Sequence, residues 1–187
     1  MEVGRMNNNG NGQISQDVIT KGVYQSFSNP LATFGYTAHS LLVPPFAPKN
    51  MLILGYGGGN IAALTKRIWG EEVKIDGIEN NEDGVNLNYD DNVLIYDAES
   101  FVRSCQKQYD YVCVDLYDGK VIPEFVLSPE FILNLARISK KLLGINCTFH
   151  NFKEFEVYQK YFLTDCLKVV NDDKALFWIN RNIFKQH

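Results

Sequence analysis

Four glycines fall within five residues at Gly55-Tyr56-Gly57-Gly58-Gly59, between the apolar run 51–56 (MLILGY) and the helical spacing of 60–69 (NIAALTKRIW). Glycine reaches positive φ without a steric penalty and lets a ligand approach the backbone. A helix that starts directly behind such a turn offers N–H groups to an electron-rich ligand. So much glycine is entropically costly if it serves only to turn a corner. The dinucleotide fingerprint requires glycine at its first, third and sixth positions. Gly55 and Gly57 satisfy the first two, but the sixth position is Asn60, a competent helix N-cap. A nicotinamide or flavin dinucleotide is disfavoured, and a different adenosine-containing cofactor is expected.

Acids recur at the ends of the next apolar runs. Glu79, followed by Asn80, closes 73–78 (VKIDGI); Asp97, followed by Ala98, closes 93–96; Asp115 ends 111–116 (YVCVDL), with Tyr117 and Asp118 next. A carboxylate at Glu79 can accept both hydroxyl protons of a ribose. Asp97 is placed to meet the amino edge of adenine or to cap the helix 98–106. Asp115 is placed to orient or deprotonate a nucleophile, with Asp118 beside it. Asp118 also precedes Gly119, a common turn pair. Gln25 and Tyr36 precede the glycines and can fold over a ligand as part of an N-terminal arm, or simply pack.

The elements that must carry these residues alternate. Strands are expected at 51–56, 73–78, 93–96, 111–116 and 143–149. Between them lie helices at 60–69, at 98–106 and from Ser128-Pro129-Glu130 to about Lys141. Ser128 is a good N-cap, and Pro129 suits the first helical position. An amphipathic helix is expected at 152–166. Strands at 167–170 and 175–180, joined by a polar turn, should form an antiparallel pair. The stretch between Glu79 and Val93 is short for a crossover helix, which should be reduced or missing. The fold class is α/β: a Rossmann-like, doubly wound, mostly parallel seven-stranded sheet with a C-terminal antiparallel hairpin. In such sheets ligands sit beyond the carboxyl ends of the strands, near the switch in strand order. The chain divides into a polar lead-in without regular structure (1–13), an N-terminal arm (14–48, with a short strand at 23–27 and a helix or extended stretch at 36–43) and the cofactor-binding domain (49–187).

Composition narrows the partners. The net charge of −4 lacks the basic footprint of a nucleic-acid binder. The four cysteines form no CxxC pair, and with the three histidines they have no zinc-ligand spacing, so no metal is expected. No apolar run approaches a membrane span and no signal peptide precedes the domain, so a cytoplasmic protein is expected. The aromatic C-terminal segment, with Phe177, Trp178 and Phe184, suits either core or a homodimer interface.

The ordered set LGYGGGN, IDGIEN, LIYDAESFV, YDYVCVDLYDG and IPEFVLSPEF resembles the spermidine synthase-like branch of the S-adenosylmethionine-dependent methyltransferase fold, over roughly residues 22–151. The resemblance implies a class I methyltransferase fold and a cofactor that is S-adenosylmethionine or its decarboxylated form. It places Glu79 on the ribose hydroxyls and Asp97 and Ala98 against adenine. Asp115 takes the position of the family's catalytic aspartate, and Asp118 that of the second acid of the same loop. Gln25-Ser26 and Tyr36 look like the arm that precedes the glycine turn. The implied activity is transfer of a methyl or aminopropyl group to a small-molecule acceptor such as a polyamine. The chain departs from the family in three places. It has at most a short arm where the family has an N-terminal β-domain. Gly58 stands where the family has a cofactor-binding aspartate. Residues 119–127 lack the usual Pro-Val-Gly-Pro pattern. The nucleoside end of the motif set is kept and the polyamine end is altered. A non-catalytic, ligand- or partner-binding relic of the same fold is the alternative.

Overall fold

Successive side chains of a strand point to opposite faces, so a strand apolar at every position must be covered on both. This holds for residues 51–54 of β5 (Asn50–Leu54) and 111–114 of β8 (Tyr109–Val114). Leu52, Leu54, Val112 and Val114 enter one core cluster, and Met51, Ile53, Tyr111 and Cys113 enter the other. Helix α1 (Asn60–Trp69) covers the second face through Ile61 and Ala62. Helices α2 (Ala98–Ser104) and α3 (Pro129–Ile138) cover the first through Val102, Phe131, Ile132 and Leu135. The computed structural model describes residues 6–9, 13–16, 18–20, 23–26, 39–85, 91–119, 121–160, 162–170 and 173–180.

The remaining strands of this sheet are β6 (Lys74–Glu79), β7 (Asn92–Ile95), β9 (Ser139–Thr148), β10 (Phe162–Val170) and β11 (Asp173–Asn180). Their spatial order is β10-β11-β9-β8-β5-β6-β7. The five strands from β9 to β7 are parallel. β11 runs antiparallel to both β9 and β10. The doubly wound sheet and its C-terminal antiparallel pair are therefore as expected. The reversed strand is not at the edge, however, but inserted between β9 and β10. Strand order switches at β5, which pairs with β6 on one side and β8 on the other, and this opens a crevice above their carboxyl ends.

Several boundaries differ from the sequence reading. Ser128 caps α3 as expected, accepting from Phe131 N at 3.2 Å with Pro129 in the first turn. The helix stops at Ile138 and not near Lys141, because Ser139 already pairs with Tyr109 as the first residue of β9. The expected helix 152–166 is instead a run of 3₁₀ turns, Phe149–Lys160, followed by β10 from Phe162. Phe155 and Tyr158 are buried three residues apart, the repeat of a 3₁₀ helix, and Tyr158 Oη donates to Val126 O at 2.7 Å. Between β6 and β7 the described residues hold one short 3₁₀ turn, Glu82–Gly84.

Ahead of the sheet, β1 (Met6–Asn9) pairs with β2 (Gln13–Gln16), and β3 (Val18–Thr20) with β4 (Val23–Ser26). The first pairing corrects the expectation of an unstructured lead-in. The Asn-Gly-Asn-Gly run at 9–12 is, in sequence, a strong hairpin-turn signal that polarity had obscured. His39–Leu41 form a helical turn, and Leu41, Leu42 and Val43 are buried in the core. Tyr111 Oη donates to Leu42 O at 2.7 Å and Trp69 Nε1 to Pro44 O at 3.0 Å. The last residues of the expected arm are thus anchored to β8 and α1. Among the described residues, no helix is long and apolar enough to cross a membrane.

Candidate functional site

A cleft of about 350 Å³ lies at the carboxyl ends of β5, β6 and β8. Its floor is the glycine turn. Gly55, Gly57 and Gly59 have φ of 83°, 52° and 78°, a region that side-chain-bearing residues rarely adopt. Gly55 is required on steric grounds as well, since a Cβ there would lie 2.2 Å from Asp115 O. The turn is tied to β6 by Gly55 N and Tyr56 N, which donate to Ile78 O at 2.9 and 3.1 Å.

Gly55, Tyr56 and Gly57 border the cleft, whereas Gly58 and Gly59 do not line it. Tyr56 acts chiefly as a strut. Its ring lies where a Cβ on Gly77 would be, and its Oη donates to Asp91 Oδ2 at 2.8 Å. Asp91 in turn pairs with Lys66 Nζ at 2.6 Å, which fastens the turn to α1. Asn60 is not the N-cap of α1. Gly59 occupies that position without a side-chain cap, and Asn60 is the first helical residue, its amide turned to His39.

Glu79, at the end of β6, lines the cleft beside Asn80. Its carboxylate accepts from Gly57 N at 2.9 Å and from Asn80 N and Asn81 N, each at 3.0 Å. A carboxylate has about four acceptor sites, so these bonds orient the group and leave capacity for a ligand hydroxyl mainly on Oε2. Asp97 lines the cleft and also caps α2, accepting from Ser100 N at 2.8 Å. That bond holds its carboxyl below the usual carboxylate range, so it is ionised at neutral pH. Ala98, the next residue, is buried and lines the same wall.

Asp115 follows β8 on the opposite wall, with its side chain only 13% exposed. Asn146 Nδ2 donates to its Oδ1 at 2.7 Å, and His39 Nε2 stands 4.0 Å from its Oδ2. Burial pushes the Asp115 carboxyl above the usual range, opposed by His39 and by the Asn146 bond. Tyr117 lines the cleft and is half-buried. Asp118 is exposed at the cleft rim in a tight turn, where its backbone exchanges hydrogen bonds with Val121. Gln25 belongs to β4, and Tyr36 lies outside the described residues.

The sequence reading missed His39, Asn60 in its actual role, and Asn146. Asn146 had a signal, being a polar residue inside the apolar run 142–147. His39 had none, because its place beside Asp115 depends on the arm returning to β8.

No family model matches the chain, and no curated protein matches it. Solved structures do. Human methyltransferase-like protein 13, in complex with SAH, aligns with a TM-score of 0.56 at 16% identity, covering 75% of each chain. A putative SAM-dependent methyltransferase from Streptococcus mutans aligns at 0.62 and 12% identity, over 90% of this chain and 54% of that one. A probable spermidine synthase from Corynebacterium glutamicum aligns at 0.55 and 13% identity, over 70% of this chain and 55% of that one. With the strand order, these likenesses define the architecture: the chain has the class I methyltransferase fold.

Proposed function

We propose that this chain is an S-adenosylmethionine-dependent transferase, allied by its motifs to the spermidine synthase-like branch, that moves a methyl group to a nucleophilic acceptor. The observation that carries the proposal is the convergence on one cleft of the glycine turn, Glu79, Asp97 and Asp115, each at the carboxyl end of a parallel strand. The closeness of Gly55 to Asp115 and the remaining capacity of Glu79 Oε2 suit a nucleoside laid across the turn.

In this reading Glu79 accepts a ribose hydroxyl, Asp97 and Ala98 border the adenine, and the backbone of Gly55–Gly57 receives the middle of the ligand. When bound, the cofactor supplies a carbon already activated by attachment to positively charged sulfur. The protein's task is then to align the acceptor and exclude water. Asp115 orients the acceptor and takes its proton. The carboxylates favour a cationic ligand by charge attraction. Gly58 stands where the resembling family has an aspartate for the cofactor's amine end, so the motif carries no such preference for the decarboxylated form.

Calorimetry with both forms tests the proposal. S-adenosylmethionine should bind more tightly than decarboxylated S-adenosylmethionine. The reverse preference would replace methyl by aminopropyl transfer. If neither bound at millimolar concentration, a non-catalytic, partner-binding role would take its place.

A further inference from the structure

The Asp115 end of the cleft holds a side-chain relay that no sequence motif announces. Asn60 Nδ2 lies 3.2 Å from His39 Nδ1, His39 Nε2 lies 4.0 Å from Asp115 Oδ2, and Asn146 Nδ2 donates to Asp115 Oδ1 at 2.7 Å. An amide nitrogen only donates hydrogen bonds, so His39 Nδ1 accepts from Asn60. The neutral imidazole therefore carries its proton on Nε2, the nitrogen that faces Asp115. At 4.0 Å the two groups are too far apart for a direct hydrogen bond, but a single atom about 2.8 Å from each would fit between them. Both residues line the cleft.

An atom in that seat meets an acceptor, the Asp115 carboxylate, and a donor, His39 Nε2–H. To react it must also keep a lone pair for the new bond. A hydroxyl oxygen meets all three demands, having one hydrogen and two lone pairs. A neutral amine has a single lone pair, which Nε2–H would occupy, and an ammonium has none.

We propose that the acceptor of this site presents a hydroxyl oxygen, seated between His39 Nε2 and Asp115 Oδ2. The inference rests on the transferase reading above and specifies its acceptor class. One lone pair of the oxygen accepts from His39. The other forms the bond to the transferred carbon, as the electron pair of the carbon–sulfur bond departs with sulfur. The hydroxyl proton passes to Asp115 Oδ2, whose burial makes it a better proton acceptor than an exposed carboxylate.

The experiment uses the full chain labelled with ¹⁵N-histidine, observed by NMR with and without S-adenosylhomocysteine, and titrated with phenol and aniline. These probes are nearly equal in shape, and both are neutral near neutral pH. The His39 spectrum should show the proton on Nε2. Phenol should shift the Nε2 signal saturably and bind about tenfold more tightly than aniline. His39→Gln, which keeps a donor, should retain most of that preference, and His39→Leu should abolish it while S-adenosylhomocysteine affinity is unchanged. A proton on Nδ1, aniline binding as well as phenol, no binding of phenol, or a preference that survives His39→Leu would each overturn the inference. Absence of any response to S-adenosylhomocysteine would instead overturn the transferase reading, and the tautomer and the phenol–aniline comparison would be read separately.

Discussion

The two walls of the cleft are built by different means. On the Glu79–Asp97 wall, carboxylates are held by backbone N–H groups a few residues away in the chain or in the neighbouring turn. On the Asp115 wall the carboxylate is held by a side chain from a distant segment, Asn146 of β9, and faced at 4.0 Å by another, His39 of the arm. On the first wall the cap bond lowers the Asp97 carboxyl and keeps it ionised; on the second, burial raises that of Asp115. A wall made from local backbone suits a constant ligand such as a nucleoside. One made from converging side chains can be retuned by single substitutions, and so suits the part of a reaction that varies between relatives.

Four substitutions test this contrast. The largest effect should come from Gly55→Ala, which joins the walls by force: its Cβ would meet Asp115 O at 2.2 Å from a backbone with φ of 83°. A loss of about 3 kcal/mol or more is expected in denaturant unfolding. Glu79→Ala should weaken S-adenosylhomocysteine binding about ten- to hundredfold by calorimetry, with the far-ultraviolet dichroism retained. An unchanged affinity would remove Glu79 from the ligand.

The pH dependence of stability should have opposite sign at the two walls. Asp115 has a raised carboxyl, so the folded state binds more protons than the unfolded one above the ordinary carboxylate value. Its contribution therefore falls as pH rises through that window, by at most about 1.4 kcal/mol per pH unit. Asp115→Asn should flatten this slope in unfolding curves taken across the acid range. Asp97 has a lowered carboxyl, so its contribution is present above the ordinary value and lost as pH falls below it. Asp97→Ala should cost about 1 kcal/mol at neutral pH through loss of the α2 cap, and less in acid.

What could be read from sequence follows the same division. The glycine turn, the acids at strand ends and the Ser128-Pro129 helix start are local patterns, and each lies where its spacing indicates. The 3₁₀ run Phe149–Lys160 was not legible, because pairing of residues 162–166 with β11 overrides an amphipathic helical pattern. His39 was not legible because its position is set by Leu42, whose carbonyl bonds Tyr111 of β8 across a long separation in the chain. The side chain of Tyr56 looked like part of a ligand turn, but it faces Asp91 and the sheet.

The insertion of β11 between β9 and β10 also bears on how the protein is made. Asn146, which grips Asp115, pairs through its backbone with Ala175, and β11 is synthesised after both strands it pairs with. Until it arrives, β9 has one bare hydrogen-bonding edge, and β10 has no neighbour in the sheet. The Glu79 wall, built from β5, β6 and their turn, can assemble before β11 is made. The Asp115 wall is locked only once β11 has joined β9, so a chain cut before Asp173 would have its glycine turn in place and Asp115 less firmly supported.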